Sequence, residues 1–91
     1  MDTVLGQVVY SKAGRDAGRK FVIVGNVDSA YVLIADGDLR RIEKPKKKKK
    51  KHLELTEEVI ESIGSKLLNG QKITNTEIRK ALAAMDERLD S

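Results

Sequence analysis

The chain has 91 residues, room for one domain with a thin core, and its formal charge of +4 comes from 18 Lys and Arg against 14 Asp and Glu. It contains no cysteine, which excludes disulfides and thiolate metal sites, and no apolar run approaches the ~20 residues of a membrane helix. The opening segment, MDTVLGQVV, carries an acid and no basic leader region, so it does not read as a secretory signal.

Val4–Ser11 and Lys20–Val27 predict two strands, each rich in β-branched residues. The segment between them carries Lys12, Arg15, Arg19 and Lys20 and is framed by Gly14 and Gly18. Glycine reaches positive φ without steric cost, so this loop can be tight. Its four cations have no apolar role and suit phosphate. Asp28-Ser29 connects to a third strand, Ala30–Ala35, in which Tyr31, Leu33 and Ala35 share one face and Val32 and Ile34 the other. Asp36-Gly37 is a hairpin signal leading to a brief fourth strand, Leu39–Ile42. His52–Leu55 completes five short strands, which together suggest a small SH3-like barrel.

Lys44–Lys51, KPKKKKKK, has nothing to bury and repels itself. It is expected to be an extended, mobile loop anchored at both ends. Thr56–Asn69 then predicts a helix capped by Thr56, with Glu57 and Glu58 in its first turn and Val59, Ile60, Ile63 and Leu67 as an apolar stripe. Gly64 inside it costs about 1 kcal/mol of helix propensity, and Asn69-Gly70 is a stop. Thr74-Asn75-Thr76-Glu77 is a capping box for a second helix with Ile78, Leu82, Met85 and Leu89 at helical spacing. The short link predicts an antiparallel helical hairpin that also leans on the barrel or on a partner. The expected architecture is α+β, with residues 1–56 as the barrel and residues 57–91 as the hairpin.

Four segments, GRDAGRKFVIV, YVLIAD, RRI and HLELT (His52–Thr56), occur in an order that resembles the KOW motif of ribosomal proteins and certain transcription elongation factors. The closer resemblance is to the archaeal and eukaryotic large-subunit ribosomal protein family L-fourteen-e, over roughly residues 4–56. It departs at Asp36-Gly37-Asp38, where the family has a longer stretch, and at the six lysines before His52. The resemblance implies a barrel with RNA contacts in the first loop, and Gly18 as the motif's glycine, acting on backbone shape.

Charge is unevenly divided. Residues 1–52 hold 13 Lys and Arg against 6 Asp and Glu, whereas residues 53–91 hold 5 against 8. The basic half is the expected nucleic-acid face. Its expected RNA contacts are Lys12, Arg15, Arg19, Lys20, Arg40, Arg41, Lys44, Lys46, Lys47, Lys48, Lys49, Lys50, Lys51 and His52. In a strand Arg40 and Arg41 point to opposite faces, so one of them packs its stem elsewhere. Read alone, the lysine block also suits a solubilising run, a nuclear import signal or attraction to anionic lipid, although no apolar anchor adjoins it. His52 is the only histidine and lacks partners for catalysis or metal binding. Tyr10, Phe21 and Tyr31 can stack on bases or fill a core, and Phe21 reads as core.

GRDAGRK has the wrong glycine spacing for a phosphate-binding P-loop. No nucleophile–base pair or metal cluster stands out, so no enzyme activity and no cofactor are expected. The expectation is a cytoplasmic RNA-binding protein, ribosomal or ribosome-associated, that grips structured, large-subunit ribosomal RNA by its backbone. Ribosomal proteins are a further expected contact through the hairpin, and no membrane is expected. The competing reading is a protein-interaction module in which the hairpin docks a partner and the barrel is a scaffold.

Overall fold

The computed structural model describes the backbone of residues 3–90 and side chains as far as Met85. Five strands come first: β1 (Gln7–Ser11), β2 (Lys20–Asn26), β3 (Tyr31–Ala35), β4 (Lys46–Lys49) and β5 (Leu53–Val59). A three-residue 3₁₀ turn, Lys50–His52, joins β4 to β5, and two helices follow, α1 (Glu61–Leu68) and α2 (Asn75–Asp90). All strand pairs are antiparallel, in the order β4-β3-β2-β1-β5.

The central strands form where β-branched residues are densest, and alternation gives the sheet two apolar faces. Val8 pairs with Val22, and Val22 with Ala35. These three lie under the helices and share one core with Ile63, Ile73, Ile78, Leu82 and Met85. The opposite face gathers Val9, Phe21, Ile23, Val32, Ile34 and Leu53, and neither helix contributes to it. Phe21 is fully buried there, as its sequence context indicates.

That second face is buried because the sheet bends. Its edge strands β4 and β5 are separated in sequence only by Lys50–His52. A flat five-stranded sheet would hold them about 19 Å apart at ~4.8 Å per strand. So short a link reaches roughly 14 Å even fully extended. Register shifts between Gln7 and Val9 and between Ile23 and Gly25 supply the bends.

Bending does not amount to closure. No pairing joins β4 to β5, and the sheet is open. The expected SH3-like barrel is therefore corrected to an open five-stranded antiparallel sheet followed by two helices. The resemblance to the KOW and L-fourteen-e proteins loses its structural support with it. Closure needs the edge strands to run side by side in register. Here β4 is only four residues long, and the 3₁₀ turn carries the chain round the end of the sheet instead of reversing it as a hairpin.

Three local readings also change. Leu39–Ile42 is not a strand; Asp36 accepts the N–H groups of Asp38 and Arg40 and holds this segment in turns. The fourth strand is instead Lys46–Lys49, inside the segment expected to be a mobile loop. Its backbone pairs with Tyr31–Ile34, so main-chain hydrogen bonds offset the repulsion between its lysines. Finally, the first helix starts at Glu61, because β5 continues through Thr56 to Val59. The Thr56 hydroxyl accepts the Glu58 N–H as a cap would (3.2 Å), but it also donates to the Val8 carbonyl across the sheet (2.7 Å).

The second helix begins as expected. Thr74 Oγ1 accepts the Glu77 N–H at 3.1 Å and Glu77 Oε1 accepts the Thr74 N–H at 3.3 Å. Of the apolar stripe, Ile63, Ile78, Leu82 and Met85 are buried, Ile60 and Leu67 are partly buried, and Val59 is exposed on β5. The Leu89 side chain lies outside the described residues. The helices bury their stripes against the sheet, and the expected domain boundary at residue 56 falls inside β5.

Candidate functional site

The loop from Lys12 to Arg19 is held by its own backbone. Gly18 donates to the Ser11 carbonyl at 2.7 Å and Ala17 to that of Gly14 at 3.2 Å. Gly14 and Gly18 take φ of +78° and +82°, the left-handed region that the turn requires. Lys12 and Arg15 are exposed on this loop and pair with no carboxylate among the described residues.

Arg19 and Arg40 behave differently. Arg19 donates from Nε to Asp36 Oδ2 at 2.6 Å and from Nη2 to Asp38 Oδ2 at 2.9 Å. Its hydrogen bond to Asp36 is the main reason its pKa is raised above the ordinary value. Arg40 donates from both Nε and Nη2 to Asp16 Oδ2, at 3.2 and 3.0 Å. Asp16 and Asp36 are each about 5% exposed, so these arginines neutralise buried acids and clamp the Lys12–Arg19 loop to the turn after β3. Burial pushes the Asp36 pKa up. The Arg19 hydrogen bond and the N–H groups of Arg40 and Asp38 outweigh that and hold it below the usual carboxylate range. Two of the expected RNA contacts are thus structural ion pairs. Arg41, the neighbour of Arg40, is exposed.

On β4 the lysines divide by face. Lys49 stands opposite Tyr31 and Lys47 opposite Leu33, while Lys48 and Lys46 oppose Val32 and Ile34. The Lys47 and Lys49 ammoniums lie 4.8 and 5.8 Å from the centre of the Tyr31 ring. On the other face Lys48 Nζ donates to the Ala13 carbonyl at 3.3 Å. Next to it the Lys12 N–H donates to the His52 carbonyl at 2.8 Å. These two bonds bring the Lys12–Arg19 loop and the lysine block, more than twenty-five residues apart in sequence, into one corner of the molecule.

Two depressions flank β4. One, of about 350 Å³, is lined by Ser29, Ala30, Lys49, Lys50 and Lys51. The other, of about 420 Å³, is lined by Leu39, Arg40, Arg41, Lys44, Pro45 and Lys46. A basic path therefore runs along β4, with cations at both ends. Lys20 sits half-buried on β2 opposite Tyr10, away from this path. His52 contributes its backbone carbonyl to the corner.

Two features escaped the sequence. Tyr31 and its flanking lysines meet only through the β3–β4 register, which no spacing along the chain announces. A larger depression of about 560 Å³ lies between residues 41–43 and 72–79, where Asn75 Nδ2 donates to both Glu43 oxygens and its Oδ1 accepts the Ile42 N–H. Among the described residues no group of three His, Cys, Asp or Glu side chains could hold a metal ion. No helix among them is long and apolar enough to cross a membrane. No protein-family model matches the chain, and neither does any of the curated proteins compared with it.

Proposed function

We propose that the protein binds RNA through the phosphate backbone, using the corner where the Lys12–Arg19 loop meets β4 and the 3₁₀ turn. The observation that carries this is the convergence of Lys12 and Arg15 with Lys46–Lys51. Meanwhile the two buried acids of the loop and turn, Asp16 and Asp36, are already paired with Arg40 and Arg19, and the exposed Asp38 shares Arg19, so this cluster adds at most one negative charge beside eight cations. What remains facing solvent is a net positive surface.

The physics of such a surface is counterion release. Each phosphate neutralised frees condensed cations and lowers the slope of log K against log salt by about 0.9 on a duplex. Contacts of this kind set register and orientation without reading sequence. The helices are in keeping with this reading, because Ile63, Ile78, Leu82 and Met85, the buried part of their stripes among the described residues, are taken up by the core under the sheet.

The test is titration of a hairpin RNA at several salt concentrations. Lys12→Ser, Lys46→Ser and Lys51→Ser combined should weaken binding and flatten the slope by about 2 to 3. Lys80→Ser, an exposed lysine on α2, should leave it unchanged. Equal slopes for both variants would reject this surface. Sedimentation of native lysate, with and without high salt, asks whether the RNA is ribosomal.

A further inference from the structure

We propose that Tyr31 is the stacking platform for one unpaired base of the bound RNA, with Lys47 and Lys49 holding the phosphates on either side of it. This rests on the RNA-binding reading and names the kind of RNA the surface selects: a helix interrupted by a bulged or looped-out nucleotide.

Tyr31 is half-buried and belongs to neither apolar core, unlike Phe21. An aromatic ring with no place in the core is available for another use. Its position is set from both sides. Asp28 Oδ1 accepts the N–H groups of Ala30 and Tyr31, both at 2.8 Å, and the Tyr31 carbonyl accepts the Val27 N–H at 3.1 Å. β4 then pairs along the other side, with Lys49 directly opposite. The depression lined by Ser29, Ala30 and Lys49–Lys51 begins one residue away, so a base on the ring has its phosphates among cations.

Tyr10 makes the contrast. It too is half-buried and outside both cores, but its cross-strand neighbours are Lys20 and Glu54, and the glutamate repels phosphate. At Tyr31 the ring has two ammoniums within 6 Å, and the nearby Asp28 carboxylate is engaged by the Ala30 and Tyr31 N–H groups and outnumbered by Lys47, Lys49 and Lys50.

In the free protein the two ammoniums rest near the ring. An exposed contact of that kind is worth about 2- to 5-fold in an equilibrium constant. A stacked base contributes about 5- to 150-fold. The base therefore displaces an ammonium from the ring, and the freed lysine turns to a phosphate. An uninterrupted A-form helix cannot make this contact, because its bases are stacked on one another and its deep groove is closed to side chains.

The experiment uses two RNA hairpins of equal stem length, one fully paired and one with a single bulged 2-aminopurine. The intact protein should bind the bulged hairpin at least about fivefold tighter, and the 2-aminopurine fluorescence should be quenched on binding. Tyr31→Leu should lose the preference and the quenching while keeping its affinity for the paired hairpin. Tyr31→Phe should keep both. Lys47→Ser with Lys49→Ser should weaken binding to both RNAs. Equal affinity of the intact protein for the two hairpins without quenching overturns the stacking role. So does a Tyr31→Leu variant that retains preference and quenching. Failure of the intact protein to bind either hairpin at physiological salt would instead overturn the RNA-binding reading beneath it.

Discussion

Gly64 illustrates how a single residue can look like a defect along the chain and be a requirement in space. In an isolated helix, Gly to Ala gains about 1 kcal/mol. Here a Cβ at position 64 would meet the Leu5 carbonyl oxygen at 2.5 Å, and one at Gly6 would meet the Ile60 oxygen at 2.7 Å and the Gly64 nitrogen at 2.9 Å. Both obstacles are backbone and cannot swing aside. Gly64→Ala should therefore destabilise the protein by about 1–3 kcal/mol, against its helix propensity. Gly18→Ala is the control: its φ is +82° but nothing lies within 4 Å, so only backbone strain of about 1 kcal/mol is expected. Thermal melting of the two variants ranks the costs. Asp36 makes a second prediction at this scale. Its folded pKa is held below the unfolded value of about 3.9. Its contribution is present in full above that value and is lost as pH falls through the folded pKa. Asp36→Asn should cost about 1–3 kcal/mol at neutral pH, since its amide would face the Arg19 donor. It should also flatten the fall in melting temperature as pH drops below about 4.

At the scale of elements, β4 is the instructive case. Four consecutive lysines are poor strand formers, and a pattern of hydrophobicity contains no reason to place them in a sheet. They pair because the 3₁₀ turn and the Ala30–Lys50 hydrogen bond deliver them alongside β3. Their charge has a structural use as well, since β4 is an open edge, and lysine on an edge discourages strand addition by another chain. Lys47→Val with Lys49→Val should raise strand propensity and cause concentration-dependent self-association, visible by sedimentation. A monomer at all concentrations would show that this edge is protected by other means. The elements legible in the sequence were those whose side chains point to their own surroundings. Val8-Val9, Phe21–Val24 and Val32–Ile34 announce central strands, and Thr74 with Glu77 announces the start of α2. β5 was legible only at its start, because Thr56, Glu57 and Glu58 suit a helix N-terminus as well as an exposed strand. The cross-sheet bond from Thr56 to Val8 decided between them. At the candidate site, the basic residues could be collected from composition. Their sorting into ion pairs (Arg19, Arg40) and exposed cations (Lys12, Arg15) depended on where Asp16 and Asp36 came to lie.

For the molecule as a whole, the helices and one face of the sheet share a single apolar core. α1 and α2 cover Val8, Val22 and Ala35, so a chain ending after Ile60 would expose three residues that are now fully buried. Such a truncation should fail to melt cooperatively. Leu82→Asp, which sets a charge into the same core, should cost at least about 3 kcal/mol. Circular dichroism melts of both variants provide the check; a sharp transition in the truncated chain would establish the sheet as an independent domain.

The link between β4 and β5 has a kinetic consequence. β1 pairs with residues 42 to 52 positions further along the chain, and that pairing forms beyond the lysine block. Closing so long a loop is slow on entropic grounds. It must also draw six lysines toward Lys12 and Arg15, so the barrier carries an electrostatic part. Refolding should accelerate as salt rises, and more so with a polyanion present. Stopped-flow refolding would reveal it, and RNA would then act as a folding catalyst for the very surface proposed to bind it.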